Sequence, residues 1–93
     1  MTPSPFPTPP DPLGLIPRLL HRDASVLILN KPAGLPVHKG PGGGETLADH
    51  LEVLRFGLPR PPELAHRLDK DTAGCLVLGR HRRALERLGQ LFK

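Results

Sequence analysis

Several residue types are scarce in this sequence of 93 residues, and each scarcity limits what the protein can be. It has no tryptophan, no tyrosine, one methionine and one cysteine. A single cysteine, Cys75, excludes a disulfide within the chain, and this is typical of proteins from a reducing compartment. We therefore expect a cytoplasmic protein that disulfides do not stabilise.

Long apolar runs are also missing. The sequence has no stretch of about 18 consecutive apolar residues, which is the length that a membrane-spanning helix requires. Its start has neither the basic residues nor the apolar core of a secretory signal peptide. We therefore expect no membrane partner.

Proline, glycine and positive charge are abundant instead. Thirteen prolines and ten glycines predict many turns, and residues 1–12, which hold six of the prolines, predict a disordered tail. Thirteen Lys and Arg against nine Asp and Glu give a net charge of +4. This charge suits an anionic partner such as RNA, because cations that contact phosphates release counterions. It is also compatible with an ordinary solvated surface.

The remainder, residues 13–93, is predicted to fold as one small unit. Two apolar runs around the polar break 21–25 predict a β-hairpin, and Pro32 ends its second strand because proline lacks the N–H that a sheet ladder needs. The following stretch, 33–44, is rich in glycine and proline and predicts a loop.

Two helices and a further strand follow. Thr46 is the predicted N-cap of a helix that ends near Gly57. Residues 75–78 predict a buried strand with Cys75 inside it. Apolar residues at helical spacing predict a second helix from about Arg82 onwards. Because nothing in the pattern stops this helix, we expect the sequence to end within an element.

The densest polar cluster lies just before that strand. Its nine residues are His66, Arg67, Leu68, Asp69, Lys70, Asp71, Thr72, Ala73 and Gly74. The neighbouring cations Arg67 and Lys70 are expected to keep the Asp69 carboxylate ionised, and an ionised carboxylate is a nucleophile or a base. Thr72 is a candidate donor that orients this carboxylate. The alternative is a salt-bridged turn in which Gly74 supplies an unusual backbone angle.

This cluster resembles the H-R-L-D-x-x-T-S-G signature of the RluA family of RNA pseudouridine synthases, with Ala73 in place of the usual serine. Residues 29–38 read Leu-Asn-Lys-Pro-Ala-Gly-Leu-Pro-Val-His and resemble the N-K-P-x-G-L-x-V-H segment of the same family. The resemblance extends over residues 19–93. It implies an α+β fold, here a fragment of the pseudouridine synthase fold with a mixed, mainly antiparallel sheet and flanking helices.

The resemblance implies isomerisation of uridine to pseudouridine in ribosomal or transfer RNA, with Asp69 as the catalytic residue. The N-glycosidic bond breaks, the uracil turns while bound, and its C5 joins the ribose. Whether the carboxylate attacks the sugar or acts as a base at C2′ stays open. A uridine in folded RNA must first leave its stack, at a cost of roughly a few kcal/mol. The resemblance also implies no metal or organic cofactor, and a monomer.

Four further residues are predicted RNA contacts: Lys31, His66, Arg67 and Thr72. Arg67 precedes Asp69 by two residues, so it suits the gap that the everted base leaves, or a phosphate. The alternative for Arg67 is an ion pair with Asp69 or Asp71. The alternative for Lys31 is a structural turn.

Three features carry weaker signals. Four arginines near the last helix either contact phosphate or are merely solvated: Arg80, Arg82, Arg83 and Arg87. The stretch 39–44 looks like a phosphate-binding loop, but it lacks the Lys-Ser/Thr of a P-loop and predicts a flexible loop instead. The histidines and Cys75 do not have the spacing of zinc ligands, so no metal site is predicted.

In the RluA family a K-x-Y motif follows the last of these helices, and its tyrosine stacks on the uracil. A basic residue farther on pairs with the aspartate. This sequence contains no tyrosine. We therefore expect the 93-residue chain to be an incomplete, inactive fragment of an isomerase. Two alternatives stay open, namely a non-catalytic RNA-binding module and the structural remnant of a broken or mispredicted gene.

Overall fold

The structure, a computed structural model, describes residues 11–38, 40 and 43–92. These residues form a four-stranded antiparallel sheet in the order β1-β2-β4-β3, with an α-helix packed on β4. The strands and the helix are β1 (Leu19–Arg22), β2 (Val26–Lys31), β3 (Glu63–Leu64), β4 (Gly74–Gly79) and α1 (Arg82–Leu91). Two 3-10 segments cover Ile16–Arg18 and Leu47–Leu54. The predicted α+β class is confirmed.

The hairpin of β1 and β2 confirms the first predicted element, and one side chain closes its turn. Asp23 Oδ1 accepts hydrogen bonds from the backbone N–H groups of Ser25 at 2.8 Å and Val26 at 2.7 Å. Its Oδ2 lies 2.7 Å from His21 Nε2. The His21 contact, followed by the two backbone hydrogen bonds, lowers the pKa of Asp23 to about 2 because these contacts favour the charged carboxylate.

Asp11, which falls within the predicted tail, fixes the segment that precedes β1. Asp11 accepts hydrogen bonds from the backbone N–H groups of Leu15 at 2.8 Å and Ile16 at 3.0 Å. Leu15 is fully buried. Asp11 therefore belongs to the folded part, while residues 1–10 of the predicted tail lie outside the described residues.

Thr46 begins the next helix, as predicted. Its backbone N–H and its hydroxyl both donate to Asp49 Oδ2, at 3.1 and 3.0 Å. The helix is 3-10 rather than α, and the sequence supports this winding because Ala48, Leu51 and Leu54 recur at every third residue. The chain then reverses at Gly57, whose φ of +82° is accessible to glycine.

The core lies on one face of the sheet. Its fully or nearly fully buried residues are Leu15, Leu27, Leu29, Val37, Leu47, Val53, Leu54, Leu76 and Leu78. Because side chains alternate along a strand, Leu76 and Leu78 face this core, and Cys75 does not. Cys75 is exposed, so the prediction of a buried cysteine is wrong. The apolar run 75–78 indicated a strand that is buried on both faces, whereas β4 is covered mainly on one face.

α1 begins at Arg82, as predicted, and His81 is its N-cap. The His81 Nδ1 atom accepts a hydrogen bond from the Ala84 N–H at 3.2 Å. Ala84 is buried, whereas Leu91 is 79% exposed, so the apolar stripe of the helix is only partly covered. Neither α1 nor any other helix in the described residues is long and apolar enough to cross a membrane.

Candidate functional site

The two sequence motifs converge at one end of the sheet. The register between β2 and β4 places Lys31 opposite Gly74. The N-K-P segment therefore lies beside the loop that carries Asp69. A backbone hydrogen bond of 2.8 Å from Gly34 N–H to the Lys70 carbonyl joins the two loops directly.

Lys31 fastens the Asp69 loop from inside the protein. Its side chain is fully buried. Its ammonium donates to the carbonyl oxygens of Pro32 at 3.0 Å, Lys70 at 3.0 Å and Thr72 at 2.8 Å. These three bonds use all the donors of an ammonium group. The geometry supports the structural alternative for Lys31, because a phosphate has no access to a buried ammonium.

The charge of Lys31 acts on the carboxylates of the loop. Burial lowers the pKa of Lys31, and the negative charges of Asp71 and Asp69 oppose this shift. The sequence had predicted that Arg67 and Lys70 would be the cations beside Asp69. Within the ranges that the structure describes, neither forms an ion pair with it, and both residues are exposed.

Asp69 occupies an exposed turn. Its carbonyl accepts a hydrogen bond from the Thr72 N–H at 3.0 Å, which closes the turn. Asp69 also lines a cleft of about 200 Å³. The other residues of this cleft are Pro36, Val37, His38, Arg67, Leu68 and Lys70. A carboxylate in this position is open to a molecule that enters the cleft.

Arg67 lies between two clefts. It is exposed and lines both the cleft of Asp69 and a larger one of about 730 Å³. The larger cleft is bounded by the 3-10 helix at 47–54, by β3 and by the end of α1. Among the described residues Arg67 forms no ion pair with Asp69 or Asp71. This exposed position is compatible with the predicted RNA contact.

His66 is engaged within the fold on two sides. Its Nε2 accepts a hydrogen bond from the Val77 N–H at 3.0 Å. Its ring packs on Phe92 with 4.5 Å between the ring centroids and an angle of 31°. A neutral imidazole that accepts at Nε2 carries its proton on Nδ1. These two contacts hold His66, and with it the start of the segment that leads to Arg67. The Nε2 atom of His66 is occupied by the Val77 N–H.

Thr72 contributes its backbone rather than its hydroxyl. Its N–H binds the Asp69 carbonyl, and its own carbonyl accepts from Lys31. The predicted hydroxyl bond to the Asp69 carboxylate does not occur among the described residues, where the Thr72 side chain is exposed. Gly74 follows with a φ of +150°, so the prediction of an unusual backbone angle there is confirmed.

His38 is a site residue that the sequence argument did not single out. It is exposed, and it lines both clefts together with Arg67. The available signal was its position at the end of the N-K-P-x-G-L-x-V-H segment. The motif marks this segment, but it does not by itself indicate that its histidine lines a cleft.

The chain is similar to several known proteins. The sequence profile described as RNA pseudouridylate synthase matches residues 25–93. An uncharacterized RNA pseudouridine synthase from Zymomonas mobilis is 45% identical over 75 residues, which cover 81% of this chain. Ribosomal large subunit pseudouridine synthase C from Buchnera aphidicola is 40% identical over 79 residues, which cover 85% of it.

A solved structure is similar as well. Human RNA pseudouridylate synthase domain containing 4 superposes on 86% of this chain with a TM-score of 0.73 and 36% sequence identity. The chain spans 34% of the Zymomonas protein, 25% of the Buchnera protein and 31% of the human chain. It therefore corresponds to about a third or less of each relative.

Proposed function

This chain belongs to the RNA pseudouridylate synthase family, and on that premise we propose that it supplies the catalytic carboxylate, Asp69, of an enzyme that isomerises uridine in RNA. One observation carries the proposal. The buried ammonium of Lys31 binds the carbonyls on both sides of Asp71, and Asp69 is thereby presented at a cleft that is open to solvent.

The proposed reaction conserves all atoms of the nucleotide. The bond between N1 of uracil and C1′ of ribose breaks, the base turns, and a bond forms between C5 and C1′. C5 loses its proton and N1 gains one, so the product is an isomer of the substrate. Asp69 acts on the ribose, either as a nucleophile at C1′ or as a base at C2′.

The surroundings of Asp69 suit an everted nucleotide. A base that leaves its stack requires compensation of roughly a few kcal/mol. Arg67 and His38 both line the two clefts. Arg67 offers a planar cation and His38 offers a planar ring, and either can stack on a base or contact a phosphate. We assign to Arg67 the contact that stabilises the RNA once the uridine has left its stack.

Ribosomal RNA is the substrate to test first. The name of the Buchnera relative refers to the large ribosomal subunit. Transfer RNA is the natural competitor in such a test. The 93-residue chain alone is expected to have little activity, because no phenylalanine, tyrosine or tryptophan of the described residues lines the Asp69 cleft to hold the uracil.

A chimaera tests the proposal directly. Residues 15–92 replace the matching segment of the Zymomonas relative, and tritium release from RNA labelled at C5 of uridine is measured. We expect the chimaera to be active and Asp69→Asn to lower its rate by more than about a hundredfold. Asp71→Asn, a matched change in the same loop, should retain most of the activity.

Circular dichroism establishes that the chimaera and both variants are folded. A folded chimaera without tritium release, or an Asp69→Asn variant with an undiminished rate, contradicts the proposal.

A further inference from the structure

Five arginines gather at the end of the sheet opposite Asp69. Two clefts, of about 290 and 200 Å³, open there and share His81 in their linings. The first contains three of the arginines and the second contains two, and together they form the α1 basic surface: Arg60, Arg80, Arg82, Arg83 and Arg87. One carboxylate, Glu63, also lines the first cleft. Because five arginines outnumber it, the surface remains positively charged.

This charge is unfavourable for the helix itself. The first turn of α1 has no acidic residue, and Arg82 and Arg83 place positive charge at the positive end of the helix dipole. Arg83 and Arg87 lie four residues apart and repel each other. In the described part of the chain, Arg82 is the member of this surface that pairs with a carboxylate, Glu86, at 3.5 Å. An anionic partner would offset this repulsion.

Arg80 adds a donor that the fold leaves unsatisfied. Its backbone N–H binds the Ser25 carbonyl and its Nη1 binds the Asp23 carbonyl, both at 2.8 Å. These bonds fix the guanidinium beside the turn of the hairpin. Its Nε is buried and has no hydrogen-bond partner among the described residues. A buried donor without an acceptor is destabilising, but this nitrogen is closed to a phosphate, so Arg80 contributes to the surface through its charge in the lining of the first cleft.

The length of β4 sets the distance between this surface and Asp69. Gly74 lies at the Asp69 end of the strand, and Gly79 lies next to Arg80. Five strand steps separate the two glycines, which corresponds to about 17 Å. Nucleotides of a DNA strand in a duplex advance about 3.4 Å each, and with a similar advance in a stacked RNA strand about five nucleotides cover this distance.

We infer that the α1 basic surface binds the phosphate backbone of the substrate RNA about five or more nucleotides away from the target uridine. The inference rests on the proposed function, which supplies RNA as the anion. Guanidinium groups match the geometry of phosphate oxygens, and such contacts hold the register of an RNA without reading its sequence. An acidic protein segment is the other anion that this surface fits, and the experiment includes it.

The double variant Arg83→Gln/Arg87→Gln of the 93-residue chain tests the inference. Fluorescence anisotropy gives Kd against KCl for two probes, an RNA stem-loop with a uridine in its loop and a uridine-containing trinucleotide too short to reach both sites. Stem-loop binding should weaken about tenfold. The slope of log Kd against log salt should fall by about 1.5. Trinucleotide binding should change less than about twofold, since a trinucleotide at the Asp69 cleft does not reach the α1 basic surface.

Two further variants separate the surface from net charge. Glu86→Gln releases Arg82 from its ion pair, and we expect it to tighten stem-loop binding and to raise the salt slope by about 0.8. Arg18→Gln removes one charge next to the edge strand β1, remote from α1. It should change stem-loop binding less than Arg87→Gln alone.

Three results would contradict RNA binding by the α1 basic surface. A double variant that binds the stem-loop with unchanged Kd and salt slope overturns the inference and leaves the role of Asp69 standing. Absence of stem-loop binding by the unmodified chain also overturns it. Tighter binding of a polyglutamate peptide than of the stem-loop, lost in the double variant, assigns the surface to a protein instead. Failure of the proposed function is seen separately, in tritium release by the chimaera.

Discussion

The ammonium nitrogen of Lys31 lies 2.8 Å from the carbonyl oxygen of Thr72, three residues beyond Asp69. The same nitrogen holds the Lys70 carbonyl, so both ends of the segment after Asp69 are attached to one buried charge. The stability of the loop and the position of the carboxylate therefore depend on a side chain in β2.

Replacing Lys31 by methionine tests this dependence. Lys31→Met leaves the carbonyls of Pro32, Lys70 and Thr72 without their donor, and we expect the free energy of unfolding to fall by about 2–4 kcal/mol. Urea denaturation measures the change. Lys70→Met is the matched control, because it removes an exposed ammonium and keeps the Lys70 carbonyl. Equal stability of the two variants would show that Lys31 does not hold the loop.

Acid should weaken the hairpin through Asp23. The pKa of Asp23 is about 2 in the fold and 3.8 in its absence, so the unfolded chain binds the proton more tightly. Its contribution to stability is therefore complete above pH 3.8 and is lost as the pH falls towards 2. Asp23→Asn should abolish this part of the pH dependence of the Tm. Parallel Tm curves for the two proteins between these pH values would argue against the role of Asp23.

Substitution by alanine should have opposite effects on stability at two glycines, Gly79 and Gly89. A Cβ at Gly79 would lie 2.7 Å from Cγ and Cδ2 of Leu85, so Gly79→Ala should push α1 from β4 and destabilise the fold by about 1–3 kcal/mol. A Cβ at Gly89, inside α1, meets nothing within 4 Å. Gly89→Ala should therefore stabilise by about 0.5–1 kcal/mol, since alanine favours helix. Chemical denaturation of both variants measures the difference, and a neutral Gly79→Ala contradicts the close packing.

Arg67→Ala should weaken binding of a uridine-containing RNA, and the salt dependence indicates how. A salt slope that falls by about 0.8 indicates a lost phosphate contact. An unchanged slope with weaker binding indicates lost stacking in the gap of the everted base. His38→Ala, at the other wall of the same cleft, is the comparison. Unchanged affinity and slope for Arg67→Ala would remove this residue from the RNA interface.

Elements encoded by neighbouring residues were predictable from the sequence. The hairpin, the start of a helix at Thr46 and the start of α1 at Arg82 all follow from periodicity, caps and breakers within a few positions. The two motifs also identified the loop around Asp69. These signals are local, so a linear sequence contains them in full.

The properties of side chains that depend on distant pairing were not predictable. Lys31 looks like a surface cation until the register of β2 and β4 brings loop carbonyls 39 and 41 positions away against its ammonium. Cys75 looks buried because the run around it is apolar, and only the layering of the sheet decides which face is covered. His38 lines the cleft because of the way its loop folds, and that loop has no periodicity from which its fold could be predicted.

The bond between the His66 ring and the Val77 amide determines how the chain departs from the sheet. In a longer β3, the carbonyl of Ala65 would take that amide, and the ladder would fix the backbone that follows. The imidazole acts as a surrogate acceptor one residue later, so the strand can stop without leaving the amide orphaned. Beyond Ala65 the backbone is thus free of the ladder, and it forms the turn in which Asp69 lies at the cleft that Arg67 also lines.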